Sequence, residues 1–296
     1  MPYIGEIAAL TAAFLWGGGA ILFEEAGKRI GAFNTNLLRI LFGSALLCGL
    51  LYIRTGTFLP FHASQEQIFW LSLSGVIGLA IGDGALFIAI VTIGPRLATL
   101  LLSLAPPITA ILAWIFLNER LSAIAIFGIV LTIWGIFWVV NEKNAPDETR
   151  GSKTSGVIAG LVAALGQGVG VIFAKQGMQT EIDALSGTIL RMIPAAIVLW
   201  LVAILWGWGK KPFVALKDKR AALATIAGSI VGPFLGVWFS LIAIKYTEAG
   251  VAATLLATVP ILILPMVIVV RKIKPSLRAV VGTVIAVLGI ALLFMR

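Results

Sequence analysis

The chain has 296 residues, 60% of them apolar and only 12% charged, with a mean hydropathy of +1.06. A soluble core of this length cannot hide so much apolar surface, which excludes a large soluble domain and makes a lipid bilayer the solvent. The formal charge of +9 records orientation rather than a nucleic-acid partner, because the basic residues fall in short loops between apolar runs.

A hydrocarbon core of roughly 30 Å takes about 20 apolar residues per helix. Ten such runs follow one another, near 5–25, 33–54, 68–90, 97–117, 122–140, 155–175, 184–207, 220–243, 249–270 and 276–295. The first lacks a basic leader and is too long for a signal peptide, so it is expected to be retained; it holds Trp16 beside Gly17, Gly18 and Gly19. The second carries Arg39 about two turns inside, and the third carries Asp83 between Gly82 and Gly84. Gly94-Pro95-Arg96 and Asn118-Glu119-Arg120 are polar or helix-breaking joints that keep the third, fourth and fifth runs apart, and Pro106 lies within the fourth. Asn141 to Thr154 is a polar, solvated linker. Beyond it come Gln167 in the sixth run, Arg191 in the seventh, Trp238 and Tyr246 in and after the eighth, and Pro260 in the ninth. Trp70, Trp138, Trp206 and Trp208 fall where an interfacial aromatic belt is expected. A lone Cys48 and a lone His62 offer no disulfide and no metal-ligand spacing, so neither metal nor cofactor is expected.

The second half repeats the first at an offset of about 151 to 154 positions. GEIAALTAAFLWGGGAI from Gly5 falls on GVIAGLVAALGQGVGVI from Gly156, Arg39 on Arg191, Gly78 and Gly82 on Gly232 and Gly236, Pro106 on Pro260, and Gly128 and Gly135 on Gly282 and Gly289. A register held by glycines, prolines and arginines marks a true duplication. The expected fold is therefore an all-α integral membrane protein of ten transmembrane helices, built as two inverted-topology five-helix repeats: 1–140, a linker at 141–154, and 155–296. Five is odd, so the second copy enters from the opposite side. Such a pair reads as a secondary transporter working by alternating access, with its substrate near the midplane between the repeats.

Asp83 is costly at such depth unless it faces protein, water or a cation. It reads either as a substrate or proton-coupling group or as a structural ion pair. Arg39 and Arg191 either snorkel toward the interface, pair with Asp83 or anchor a substrate carboxylate. Gln167 aligns with Trp16, and an amide facing an indole suits a small amphipathic solute, with plain helix packing as the alternative. Trp238 and Tyr246 are further candidates for the substrate path. Pro106 and Pro260 each remove a mid-helix hydrogen bond and are expected to bend or hinge their spans at matched points.

These features resemble the EamA-type, ten-helix permeases of the drug/metabolite transporter superfamily. The resemblance spans nearly the whole chain and rests on the paired five-helix units, the matched Arg39 and Arg191, and the stretch from Gly82 to Ser122, in which a small-residue third helix leads to a proline and then to Glu119. The second copy has Lys272-Ile273-Lys274 where the first has Asn118-Glu119-Arg120, so any role of that glutamate belongs to one half. The resemblance implies export or exchange of small metabolites, amino acids among them, without ATP hydrolysis, from the plasma or inner membrane. Multidrug or nucleoside permeation is the alternative, with a membrane-embedded enzyme behind it; Asp83 lacks the companion carboxylate or nucleophile that catalysis would need.

Basic residues crowd the loops after odd-numbered spans, at Lys28, Arg29, Arg96, Lys143 to Lys153, Lys210 to Arg220 and Arg271 to Arg278; the other side holds Arg54, Arg120, Lys175, Lys245 and Arg296. The positive-inside rule puts both termini outside, whereas the resemblance implies cytoplasmic termini. The glycines of the fifth and tenth spans suit either dimerisation or packing within a monomer.

Overall fold

The computed structural model describes residues 3–116, 120–142, 152–179, 181–246, 249–272 and 275–295. Asn118, Glu119, Ile273, Lys274 and most of the 141–154 linker lie outside these residues. Among the described residues nine helices are long and apolar enough to cross a membrane. The longest, Gln65–Leu102, has 38 residues, or about 57 Å of helix, nearly twice a bilayer core. It supplies two spans, because Gly94 leaves helical geometry at φ 80°, ψ 160° immediately before Pro95. Only glycine adopts that backbone freely, so the joint read from the sequence ends the third span and starts the fourth. Ala105–Phe116 completes the fourth, and ten helical spans result.

In chain order the spans are Ile4–Ile30; Ala32–Thr55; 65–93; 95–116; Ala123–Val140; Lys153–Gly177; Ala184–Leu205; 219–246; 249–271; and Leu277–Phe294. The short helix Lys211–Ala215 lies between the seventh and eighth. Side-chain caps set several starts. Ser64 and Gln67 form a reciprocal capping box at the third span, and the aligned Ser122 and Ser276 accept the amides of Ala125 and Ala279 at the fifth and tenth.

The first span runs beyond its apolar stretch to Ile30. Glu24–Lys28 and Glu25–Arg29 are ion pairs four residues apart, so the charges that suggest a loop support another helical turn instead.

The duplication recurs in details that hydropathy does not display. The third and eighth spans each contain a seven-residue π-helical segment, Val76–Gly82 and Ile230–Gly236, at aligned positions. The fourth and ninth spans are each broken: helix stops at Leu102 and resumes at Ala105, and stops at Leu256 and resumes at Val259. Pro106 and Pro260 do not kink continuous helices. They occupy the first turn of the resumed segments, where a missing N–H has no intrahelical partner to lose. The chain passes each break through three-residue hydrogen-bonded turns, with the Leu104 amide donating to Leu101 and that of Thr258 to Leu255.

The fifth and tenth spans pack backbone to backbone. A β-carbon on Gly135 would lie 2.7 Å from the Ala286 nitrogen, and one on Gly128 2.7 Å from the Leu293 nitrogen. Thr132 between them donates to Gly128 and, at 3.2 Å, to the Ala286 carbonyl across the interface. These glycines are thus taken up inside one chain, as packing of small residues in bilayers favours. Gly135→Ala is expected to destabilise the protein by about 1–3 kcal/mol. Gly49→Ala, where a β-carbon meets nothing within 4 Å, should be neutral or slightly stabilising; thermal melting in detergent compares the two.

Candidate functional site

Each repeat packs its π-helical segment against the first span of the other repeat. In the third span Gly75, Gly78 and Gly82 face the sixth and seventh. A β-carbon on Gly166 would stand 2.8 Å from the Gly82 Cα, one on Gly170 3.0 Å from the Gly78 Cα, and Gly75 leaves no room beside the Arg191 carbonyl. Ser74 donates to the Gly170 carbonyl at 2.6 Å. In the eighth span Gly228 and Gly232 lie against Phe23, and Gly236 lies against the Trp16 indole. A π turn shifts its carbonyls out of the α register, and here side chains take them up: Gln167 donates to Gly78 at 3.3 Å and Asn36 to Leu79 at 3.4 Å.

Between the repeats, where these segments meet the two broken spans, lies a cavity of about 610 Å³. Apolar side chains make most of its wall. Trp16, Asp83, Gln167, Arg39 and Arg191 all line it, as do Pro106 and Pro260 at the breaks. Trp238 does not: it follows the lining residue Val237, one helical step round, and turns outward, 43% exposed, with its ring edge-on to Phe234. Tyr246, 57% exposed at the end of the same span, also stands outside the lining.

Asp83 is the buried centre of the site. One carboxylate oxygen accepts from Arg39 at 2.5 Å and the other from Gln167 at 2.5 Å. Arg39 also donates to Asn36 at 3.2 Å, and its guanidinium carbon lies 5.3 Å from the Phe87 ring centre and 6.0 Å from that of Phe23. Arg39 therefore turns into the bundle rather than out to the interface, held by charge, amide and two aromatic faces. Because Gln167 belongs to the second repeat, the carboxylate ties the two repeats together. The Nε of both arginines is buried without a hydrogen bond, but Arg191 has no partners comparable to those of Arg39.

Sequence reasoning missed Phe23, Phe87, Thr99, Ser103 and Ser240, which also line the cavity. Aromatic and small hydroxyl side chains are too common in apolar helices for composition to single them out. It also missed Glu24, 2% exposed, which accepts from both Lys28 and Arg271. Its spacing from Lys28 was the available signal. Nearby, Arg29 reaches Asp218 at 3.2 Å. The Asp218 carboxylate is held below the ordinary carboxylate range, first by the Ala221 amide it caps and, against some desolvation, by Arg29. On this odd-loop side the cavity lining along the first span ends at Phe23, one residue short of Glu24, while in the third and fourth it continues to Ile90 and Thr99 near the joint at Gly94; on the other side it reaches Met178 and Ala184, where the sixth span passes to the seventh.

Among curated proteins the chain is 28% identical over 213 residues to human solute carrier family 35 member G1, covering 67% of this chain and only 56% of that relative's length. A protein of known crystal structure aligns over 97% of this chain and 95% of its own with a TM-score of 0.64, at 18% identity; that likeness concerns the fold alone. The profile of the EamA-like transporter family matches residues 3–141 and again 154–295. With nearly the whole chain matched in two copies, this multi-pass membrane protein belongs to the EamA-like transporter family of the drug/metabolite transporter superfamily, whose members carry small solutes across membranes.

Proposed function

We propose that the chain is a secondary carrier in the cell membrane that moves a small amphipathic organic solute, an amino acid or a close relative, by alternating access. The observation that carries the reading is the cavity between the repeats, apolar over most of its wall and polar at Asp83, Arg39, Gln167 and Arg191. Such a site holds an apolar body while a few fixed polar groups orient the head group. Trp16 and Gln167, equivalent by the repeat and both in the lining, set substrate preference. The prolines of the broken spans, Pro106 and Pro260, mark where the two spans flex between the alternate openings. Asp83 is the coupling group: a proton on its carboxylate would cancel the charge that holds Arg39 and leave one oxygen to accept in place of two, loosening the tie between the repeats.

The test is uptake and counterflow in proteoliposomes with labelled amino acids, nucleosides and cationic drugs, with and without an imposed pH gradient. Saturable, gradient-stimulated flux of amino acids is expected. Exchange indifferent to the gradient would remove the coupling role of Asp83, and preference for nucleosides or cationic drugs would replace the substrate class. Trp16→Ala and Gln167→Ala should change the relative transport of large and small amino acids several-fold more than they change the amount of folded protein, read by competition uptake beside gel-filtration yield. Unchanged preference in both would remove these residues from the site.

A further inference from the structure

The two aligned arginines have parted company, and the difference is written in the residues around them. Arg39 is enclosed by Asp83, Asn36, Phe87 and Phe23. The residues that the repeat places at the same points around Arg191 are Val237, Thr188, Leu241 and Ala174. A carboxylate has become a valine, an amide a threonine, and two aromatic rings a leucine and an alanine. No carboxylate, amide or aromatic ring stands at these points; the one polar group is the Thr188 hydroxyl, which donates to the Ala184 carbonyl, and much of the space is cavity, lined by Val237, Thr188 and Leu241.

The Arg191 side chain is nonetheless held in position. Its backbone carbonyl packs on Gly75, and a terminal nitrogen lies beside Gly78, 3.5 Å from where a β-carbon there would sit. Its Nε is buried without a hydrogen bond, as is that of Arg39, but among the described residues Arg191 makes no ion pair, whereas Arg39 pairs with Asp83. Asp83, the one acidic residue of the cavity lining, has both oxygens already taken by Arg39 and Gln167. The charged residues of the lining are Arg39, Asp83 and Arg191, so the lining carries one unmatched positive charge. A guanidinium so placed is among the least favourable arrangements in a membrane interior, and its planar fork matches a carboxylate.

We propose that Arg191 is the docking residue for an anionic head group, a carboxylate, on the transported solute, and that Asp83–Arg39 is not its binding pair. This deepens the carrier reading above and rests on it. A free zwitterionic amino acid and a simple organic acid both qualify, whereas an organic cation or a neutral nucleoside does not. The solute's carboxylate completes around Arg191 what Asp83 completes around Arg39.

The test uses the full-length chain in detergent and two sets of ligands, each sharing one apolar body. The phenyl set is phenylalanine, 3-phenylpropionate, 3-phenylpropionamide and phenethylamine; the second set puts the same four head groups on a branched aliphatic body. Affinity is read by intrinsic tryptophan fluorescence and thermal shift in a chloride-free buffer. The carboxylates of at least one set are expected to bind at least about tenfold more tightly than the matching amide and amine, a usual margin for a charge-assisted pair. Arg191→Gln should abolish that preference and Arg191→Lys should keep part of it. Equal binding of amide or amine, binding of no carboxylate, or a preference that survives Arg191→Gln would overturn the proposal. So would stabilisation by chloride alone without any carboxylate effect, which would make the site a halide site.

A second readout needs no ligand. If Arg191 is an uncompensated charge kept for the solute, Arg191→Met should raise the melting temperature of the empty protein by a few degrees, whereas a purely structural arginine would give a fall. Counterflow separates the two readings: transport of amide or amine as fast as carboxylate preserves the carrier and removes this site, while carboxylate binding without transport preserves the site and removes the carrier.

Discussion

Asp83→Ala is expected to abolish transport and to lower stability more than any other single change in the cavity. Removing the carboxylate strands Arg39, which loses its ion pair at 2.5 Å while remaining buried, and breaking a buried pair from one side costs about 3–5 kcal/mol. It also frees Gln167 from its 2.5 Å contact and so removes one of the ties between the repeats. Asp83→Asn is the informative companion, because it keeps the shape and can still accept from one donor. It should fold, lose gradient-driven accumulation and retain exchange if the carboxylate carries the proton. The double variant Asp83→Asn, Arg39→Gln should recover much of the stability lost by Asp83→Asn, since contacting groups of one network are strongly non-additive, yet recover no accumulation. Melting temperatures and proteoliposome uptake on all four proteins would check this. Equal loss of exchange and accumulation in a well-folded Asp83→Asn would make the residue a binding group without a coupling role.

The number of spans and the joint at Gly94 are legible in the sequence because bilayer thickness and backbone geometry act locally: an apolar run has a length, and Gly-Pro interrupts it. The π segments at Val76–Gly82 and Ile230–Gly236 are not legible, since their cause is tertiary. They lie where glycines let two backbones approach and where Gln167 and Asn36 satisfy displaced carbonyls from other helices. The breaks before Pro106 and Pro260 were half legible. Proline announces a disturbance, but whether a helix bends or restarts depends on whether residues such as Ser103 and Leu104 find turn hydrogen bonds, and only the fold supplies that. The aligned arginines show the limit most clearly. Arg39 and Arg191 look equivalent along the chain, and their difference appears only when Asp83, on another helix, is seen to reach one of them. Type and depth single out Trp238 and Tyr246, but the helix face that each occupies is set by packing that a single sequence does not display.

Glu24→Gln is expected to open the odd-loop side of the cavity. Glu24 is buried at the end of the first span and accepts from Lys28 on its own helix and from Arg271 at the end of the ninth. One carboxylate thus ties the two spans just beyond Phe23, the last residue of the first span to line the cavity. The outer pair Arg29–Asp218 binds the first span to the head of the eighth but is partly exposed, so solvent screens it and it adds little. Because the Asp218 pKa is lowered, whatever that pair contributes is present above the ordinary carboxylate pKa and is lost as pH falls through the folded value. The buried tie dominates. If it exists only in the state open toward Met178 and Ala184, then removing it shifts the balance of the two openings by the energy it supplied. A shift of only about 1.4 kcal/mol changes their ratio tenfold. A Ser103→Cys reporter on the cavity wall, in a Cys48→Ala background that removes the chain's single cysteine, measures the opening through its rate of labelling by a membrane-impermeant thiol reagent from each face of sided vesicles. The unaltered lock should label chiefly from the terminal side; Glu24→Gln should raise labelling from the odd-loop side about tenfold, Arg271→Gln somewhat less because Lys28 still holds Glu24, and Asp218→Asn hardly at all. Labelling unchanged by Glu24→Gln would mean that the glutamate only secures the ends of two helices, and that the cavity is closed on that side by the packing of Phe23 against Phe87, 5.1 Å between ring centres, rather than by charge.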